Sequence, residues 1–460
     1  MVYYLFSIEE KTMLWRKIND KLERFATLNG KKALLLTGAR QVGKTYSIRR
    51  FANRHYESFV EINFVRDVSA KKIFDNASDA KDVLFRLSAY AKGNLKKGKT
   101  LIFLDEVQRC PEAITFIKFL VEDGGFHYIL SGSLLGVELK NVRSVPVGYM
   151  YEETMYPLDF EEFLVANGIG QDVLKHLSDS FDSLRPVDSA IHDFIMRHYL
   201  LYIVVGGMPE AVQRYVDTND LAEVLSVQKA IRVEYHRDIS QYAEAESLRI
   251  REVYDRLPSE LNKPNKRFKL GSVVKGSHFD RVEDGFVWLR DAGVAHPVYC
   301  VDEPMAPLEL SSRRNLFKLF ANDVGLLASM YMDGLQFKVL NGERNVNFGS
   351  VYENAVAQEL IAHGFRTKYF NSKRHGELDF VVERDGLVVP IEVKSGKDYK
   401  RHSALSSVMA CREYGIGQAY VLNNDNVSTD GRIAYLPVYM TMFLRPVELP
   451  KQMIYKIPSL

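Results

Sequence analysis

The chain has 460 residues, 46% of them hydrophobic and 26% charged. That composition excludes a disordered protein and predicts roughly two to four folded domains. A formal net charge of only +2 leaves no general basicity to force a nucleic-acid partner, so any such contact must come from a local patch.

Cys110, Cys300 and Cys411 are scattered, without metal-ligand spacing, which points to a reducing compartment. Met1 to Phe6 is too short for a signal peptide, and no run approaches the ~18 apolar residues of a membrane span. The expectation is a cytoplasmic protein with no membrane partner.

In chain order, residues 7–30 read as an amphipathic helix, with Leu14, Ile18, Leu22 and Phe25 near helical spacing. Ala33 to Thr37 is a short apolar strand. It runs into Gly38-Ala39-Arg40-Gln41-Val42-Gly43-Lys44-Thr45, the G-x-x-x-x-G-K-[ST] pattern of a phosphate-binding loop. The two glycines allow a tight fold whose backbone N–H groups face an anion. Lys44 would reach the β- and γ-phosphates and the Thr45 hydroxyl would coordinate Mg²⁺. The helix beginning there turns its positive end toward the phosphates.

Phe59 to Phe64 predicts a second strand, residues 70–92 a helix, and Thr100 to Leu104 a third strand ending in Asp105-Glu106. Asp105 is placed to hold Mg²⁺ and Glu106 to orient or deprotonate the attacking water. A helix over 111–122 and a strand over 127–130 follow. That strand ends in Ser131-Gly132-Ser133, and either serine fits the place of a γ-phosphate sensor. Alternating strands and helices imply a parallel sheet with its ligand at the carboxyl ends of the strands.

Residues 149–166, which include Tyr156 to Leu164, read as a last strand running into a helix, and residues 170–190 as a polar insertion. Tyr202 to Glu210 is apolar and broken by Gly206-Gly207 and Pro209. Residues 218–242 form a long helix whose Arg232, His236, Arg237 and Asp238 read as a solvated face.

Taken together, Gly-Ala-Arg-Gln-Val-Gly-Lys-Thr, Leu-Asp-Glu, Leu-Ser-Gly-Ser, Pro-Leu-Asp-Phe-Glu-Glu-Phe-Leu and Gly-Gly-Met-Pro-Glu resemble a prokaryotic AAA-like ATPase family whose members are commonly fused to a C-terminal domain of unknown function. The resemblance implies ATP and Mg²⁺ as cofactors and leaves open an oligomer formed through the ATPase domain. One departure stands out. Family members often carry a Gly-Arg pair ahead of the Pro-Leu-x-Phe segment, a candidate arginine finger. Here Gly148 is followed by Tyr149, and Arg143 is the nearest basic residue.

Residues 245–320 look like a small helical domain. Lys263, Lys266, Arg267 and Lys269 surround Phe268, a turn follows at Gly271 to Gly276, then a helix over 282–292 and a strand over 294–301. Helix, turn, helix, strand is the order of a winged helix, which would carry its basic residues onto DNA phosphates. A lid or packing domain without nucleic acid is the alternative.

The last segment predicts a helix over 350–363 carrying Glu353, strands over 365–370, 377–383 and 388–394, a helix over 403–414 and a strand over 418–422. Strand alternation puts Glu377 and Asp379 on one face, and Glu392 and Lys394 on one face of the next strand. Asp379 and Glu392, with Glu353 completing the shell, would hold Mg²⁺ for phosphodiester cleavage, and Lys394 would orient water or stabilise the pentavalent charge. This pattern resembles the PD-(D/E)XK nuclease superfamily, with the proline before the aspartate absent. A plain Glu392–Lys394 salt bridge is the alternative.

The expected fold is α/β. It comprises a P-loop NTPase parallel sheet (1–165), a helical lid and connector (166–244), a winged-helix-like domain (245–325) and a restriction-endonuclease-like α/β domain (326–460). The expected function is ATP binding and hydrolysis coupled to a DNA- or RNA-interacting nuclease-like half. The alternative is a slow ATP-dependent signalling or scaffold switch with an inactive nuclease-like interaction domain.

Overall fold

The computed structural model describes residues 14–447 and 454, apart from 29, 94, 133–147, 243, 264–265, 269–279, 332–337, 339 and 341–348. The first half is built on five strands: β1 Ala33–Thr37, β2 Ser58–Asn63, β3 Thr100–Asp105, β4 His127–Ser131 and β5 Met150–Thr154. They lie in the order β2-β3-β4-β1-β5 and every pair is parallel. Such a sheet is covered on both faces, so its central strands are apolar throughout rather than alternating. Every residue of β3 is buried. Within β1, Ala33 and Leu35 enter the core with Leu104, Ile114 and Ile117, while Leu34 and Leu36 enter the opposite one with Ile48 and Phe51.

Several expected elements shift. The helix expected over 70–92 is a 3₁₀ turn, Val68–Ile73, and a separate helix, Ala80–Tyr90. Asn76 takes a positive φ between them, and the Asp79 carboxylate accepts from the Asp82 N–H to start the helix anew. The last strand ends at Thr154, before Pro157. The Asp159–Glu162 capping box then opens the helix Phe160–Ala166. The supposed insertion holds the helix Gln171–Ser183, whose Leu174, Leu177 and Phe181 are buried. Its polar composition reflects one exposed face.

Helices Ser189–Val205, Pro209–Thr218, Leu221–Tyr242, Glu244–Asp255, Leu257–Leu261 and Asp280–Asp291 follow. Among the described residues no helix is long and apolar enough to cross a membrane.

The second sheet has eight strands: β6 Ala295–Val301, β7 Ser312–Ala321, β8 Lys368–Ser372, β9 Gly376–Arg384, β10 Leu387–Val393, β11 Ala419–Asn423, β12 Ser428–Asp430 and β13 Ile433–Pro437. Their order is β12-β13-β11-β10-β9-β8-β6-β7. The helix Gly349–Ala362 packs on it, and one hydrophobic core runs from Leu158 to Leu444 through helices and sheet alike. β6 is parallel to β8, with Tyr299 opposite Lys368. The β6–β7 hairpin therefore continues the C-terminal sheet, and the expected 325/326 boundary divides a single sheet. β7, β12 and β13 were not expected from the sequence.

Gly206-Gly207 is where the two halves meet. The Leu158 N–H donates to the Gly207 carbonyl at 2.6 Å, and the Gly207 N–H donates to Asp323 at 2.6 Å. A Cβ on Gly207 would lie 2.0 Å from the Leu158 oxygen. Gly207→Ala is therefore expected to cost about 2–3 kcal/mol, as overpacking against backbone does. Its thermal unfolding midpoint, compared with wild type, checks this.

Candidate functional site

The phosphate loop bridges β1 and the helix Lys44–His55. Gly38 (φ +130°), Gln41 (+63°) and Gly43 (+95°) all have positive φ. At Gly38 no other residue fits, because a Cβ would stand 2.2 Å from the Met155 carbonyl oxygen. The Lys44 ammonium donates to the carbonyls of Gly38 (2.8 Å) and Ala39 (2.7 Å). Burial brings its pKa down to about 8, against the opposing pull of Glu106 and Asp105.

Asp105 is buried at the end of β3. Its Oδ2 accepts from Asn63 Nδ2 (2.9 Å) and Thr45 Oγ1 (3.3 Å). Its Oδ1 accepts from the Ser131 hydroxyl and from the Glu106 N–H at 3.1 Å. Ser131 reaches this carboxylate because β4 lies between β1 and β3, a strand order that motif spacing alone does not give. Glu106 sits in the left-handed region (φ +54°), and its Oε2 accepts from Gln108 Nε2 at 2.6 Å. A non-glycine residue held there is the kind of local strain found at functional sites. Ser133 and Arg143 lie outside the described residues. The Thr45 hydroxyl and the Asp105 carboxylate are hard oxygen donors already in contact, and they fit Mg²⁺.

Other residues of the site went unread in the sequence. Asn63 ends β2 beside Asp105; a polar residue closing an alternating strand was its only signal. Arg16 donates to the carbonyls of Val42 (2.9 Å) and Tyr156 (2.6 Å) and pairs with Glu162 at 3.2 Å, bracing the loop from the N-terminal side. Beside the start of the helix lies a cavity of about 430 Å³ lined by Leu14, Arg16, Gly43, Tyr46, Pro209 and Gln213, among others. It has the size and largely apolar lining of a small-molecule subsite.

The outer face of the loop is clamped by the helix Leu221–Tyr242. Arg40 Nε lies 3.0 Å from Asp238 Oδ2, and Gln41 Nε2 donates to Glu234 at 2.5 Å. The expected solvated face is thus partly an interface: Asp238 is buried, and Arg232 donates to the Ser329 carbonyl at 3.0 Å. Burial raises the Asp238 carboxyl to about 6, in spite of Arg40. The Gly293 turn, just ahead of β6, also touches the loop, since a Cβ there would lie 3.0 Å from the Ala39 nitrogen.

The second constellation does assemble. Glu353 comes from the helix Gly349–Ala362, Glu377 and Asp379 from β9, Glu392 from β10, and Lys394 from just beyond it. Lys394 Nζ pairs with Glu392 at 3.2 Å, and Asp379 Oδ2 accepts from the Val393 N–H at 2.9 Å. Two further lysines join them. Lys318, from β7, is fully buried with its ammonium 2.7 Å from Glu377 Oε1 and 3.9 Å from both Glu353 Oε2 and Asp379 Oδ1. Lys266 pairs with the other oxygen of Glu353.

Burial alone would lower the Lys318 pKa, yet Glu353, Asp379 and Glu377 together push it up. Burial and the neighbouring Asp379 push Glu392 up to about 8. Burial would raise Asp379 as well, but Lys318 and Lys266 outweigh it and bring it down. The signal for Lys318 was a lone lysine inside the apolar run Leu316-Phe317-Lys318-Leu319-Phe320.

Comparison with known proteins gives three family matches. Residues 30–164 match an AAA domain, residues 196–338 a domain of unknown function (DUF8612) and residues 348–440 a domain of unknown function (DUF4143). Two uncharacterised proteins of Methanocaldococcus jannaschii are similar. MJ1544 is 24% identical over 195 residues, which is 42% of this chain and 39% of that protein. MJ1637 is 21% identical over 454 residues, 94% of this chain and 89% of that protein. The chain thus spans well under half of the first of these relatives.

Among solved structures, the Walker-type ATPase PABY2304 of Pyrococcus abyssi aligns with a TM-score of 0.44 at 14% identity, covering 70% of this chain and 96% of that one. The Orc1 protein of Aeropyrum pernix in complex with DNA aligns with a TM-score of 0.26 at 12% identity, covering 71% and 95%. The AAA-domain match over 30–164, laid on the loop geometry, supports an AAA-like, ATP-binding P-loop domain in the first half of this chain.

Proposed function

We propose that the protein hydrolyses ATP to ADP and phosphate and passes its nucleotide state to the C-terminal half. The observation that carries this reading is the convergence of Lys44, Thr45, Asp105 and Glu106 at the carboxyl ends of β1 and β3, with the same loop clamped from outside by Glu234 and Asp238.

The loop amides and the Lys44 ammonium hold the β- and γ-phosphates. Mg²⁺, when bound, offsets the charge that builds up on the transferring phosphoryl group. Thr45 and Asp105 are the side chains to hold it, with Asn63 and Ser131 fixing Asp105. Glu106 takes the proton of the water that attacks the γ-phosphorus. The cavity beside Leu14, Tyr46 and Pro209 receives the base. Loading the loop would shift Arg40 and Gln41, and with them the helix that connects to the C-terminal sheet.

DNA or RNA is the proposed partner of the C-terminal half, through exposed basic residues such as Lys397, Lys400 and Arg401. ATP turnover measured with and without single- and double-stranded DNA and RNA tests this. Stimulation supports the coupled reading, and unchanged turnover at every protein concentration removes it.

One observation favours the second reading, a slow scaffold switch. Where the family often has an arginine, Tyr149 instead donates its hydroxyl to Glu122 at 2.6 Å, so this position offers no cation to a neighbouring subunit. Slow turnover is the consequence, since ATPases of this type depend on such a charge.

The clamp makes its own prediction. Asp238→Ala leaves ATP binding intact but uncouples the halves: nucleotide no longer changes the proteolytic protection of residues beyond the helix Leu221–Tyr242. In wild type the same loss is expected as pH falls below about 6, where Asp238 protonates and its negative charge no longer faces Arg40. Limited proteolysis with and without ATP, across that pH range, checks both.

A further inference from the structure

We propose that Lys318 is a built-in counter-cation: its ammonium takes the place among Glu353, Glu377 and Asp379 that a divalent ion would need, so this carboxylate cluster binds no catalytic metal and does not cleave phosphodiesters. The inference is independent of the ATP chemistry. It runs against the expectation that Glu353, Asp379 and Glu392 hold Mg²⁺, because two of those three carboxylates face this ammonium.

Four acidic side chains, Glu353, Glu377, Asp379 and Glu392, come together where Glu353 and Glu392 are fully out of solvent contact or nearly so. Buried carboxylates must be paired or bind a metal. Here the chain supplies the pairing itself. Lys318 has no exposed surface, touches Glu377 at 2.7 Å and stands 3.9 Å from both Glu353 and Asp379. The Tyr369 ring closes its other side, with the ring centre 5.0 Å from Nζ.

Each of the four carboxylates also has a further partner, although Glu353 Oε2 accepts no hydrogen bond and faces only the Lys318 ammonium at 3.9 Å. Lys266 holds Glu353, Asn371 donates to Glu377, the Val393 N–H donates to Asp379, and Lys394 holds Glu392. Mg²⁺ demands near-octahedral oxygens at about 2.1 Å. An ion that close to Glu377 and Asp379 would sit against the Lys318 ammonium, with like charges in a buried space.

A lysine in this place has a structural logic. β7 is the edge strand of the sheet, and its end carries Asn322 and Asp323. Asn322 donates to the Tyr235 hydroxyl at 3.3 Å and Asp323 accepts from Gly207 at 2.6 Å. The Lys318 ion pairs therefore pin to β9 the same strand that touches the helix clamping the phosphate loop. A metal-loaded site would depend on ion supply, whereas this pin is permanent.

The test uses the full chain without nucleotide, Mn²⁺ titrated by electron paramagnetic resonance, and Mg²⁺- or Mn²⁺-dependent cleavage of labelled DNA and RNA. Wild type and Lys318→Arg should show no Mn²⁺ site that Asp379→Asn removes, and no cleavage that Asp379→Asn removes. Lys318→Met should gain one Mn²⁺ per chain, lost again in the Lys318→Met/Asp379→Asn double variant, and Mn²⁺ should raise its unfolding midpoint by several degrees while leaving wild type unmoved. A wild-type Mn²⁺ site, or wild-type cleavage, that disappears in Asp379→Asn overturns the proposal. A folded Lys318→Met variant without a new site overturns it too. The wild-type and Asp379→Asn comparison decides the matter even where Lys318→Met does not fold.

Discussion

Lys44→Ala is expected to weaken ATP binding by about 100-fold, the scale of losing a charge-assisted hydrogen-bond set of about 3 kcal/mol. Lys44 is buried beneath the loop and already points at the carbonyls of Gly38 and Ala39, so a phosphate entering the loop meets its ammonium directly. The change should leave the fold intact, because Lys44 packs at a helix start and not in the sheet.

The same residue sets a pH dependence. Its pKa in the nucleotide-free protein is about 8, below the ordinary lysine value. Bound phosphate favours the charged form, so above pH 8 binding must take up a proton. Wild-type affinity should then fall by up to about tenfold per pH unit, while the alanine variant stays weak and lacks this fall. Calorimetric titration with ATP between pH 7 and 10 reads both effects. Equal affinity of wild type and variant would refute the site assignment.

Glu106→Gln is expected to reduce ATP turnover by about 10²–10⁴, the usual loss for a general base, with ATP affinity within a few-fold of wild type. The glutamine oxygen can still accept from Gln108, as Glu106 Oε2 does at 2.6 Å, so the left-handed backbone at φ +54° keeps its anchor. What the amide cannot do is accept the proton of the attacking water. The outcome to measure is single-turnover hydrolysis beside nucleotide affinity on one preparation. Turnover at the wild-type rate would remove Glu106 as the base and direct attention to Asp105. A parallel loss of affinity would mean that Glu106 acts on binding rather than on chemistry.

Much of the proposed nucleotide site could be read without a structure, because each part is local. Gly38 and Gly43 bracket one turn, Lys44 and Thr45 open the helix that follows, and Asp105-Glu106 close one strand. Spacing along the chain is enough to place such groups relative to their own element. The same holds for the carboxylate faces, since strand alternation alone puts Glu377 with Asp379 and Glu392 with Lys394.

What the chain could not show along its length was how the elements meet. Only the placement of β4 between β1 and β3 selects Ser131 as the partner of Asp105. Packing of the helix Leu221–Tyr242 against the loop turned Asp238 from an apparent solvent charge into the partner of Arg40. The pairing of β6 with β8 carried β7 into the C-terminal sheet and brought Lys318 to a carboxylate cluster at sequence distances of 35 to 74 residues. Local stereochemistry and periodicity fix what each segment is. The neutralisation of buried charge depends on which segments become neighbours, and only the folded chain decides that.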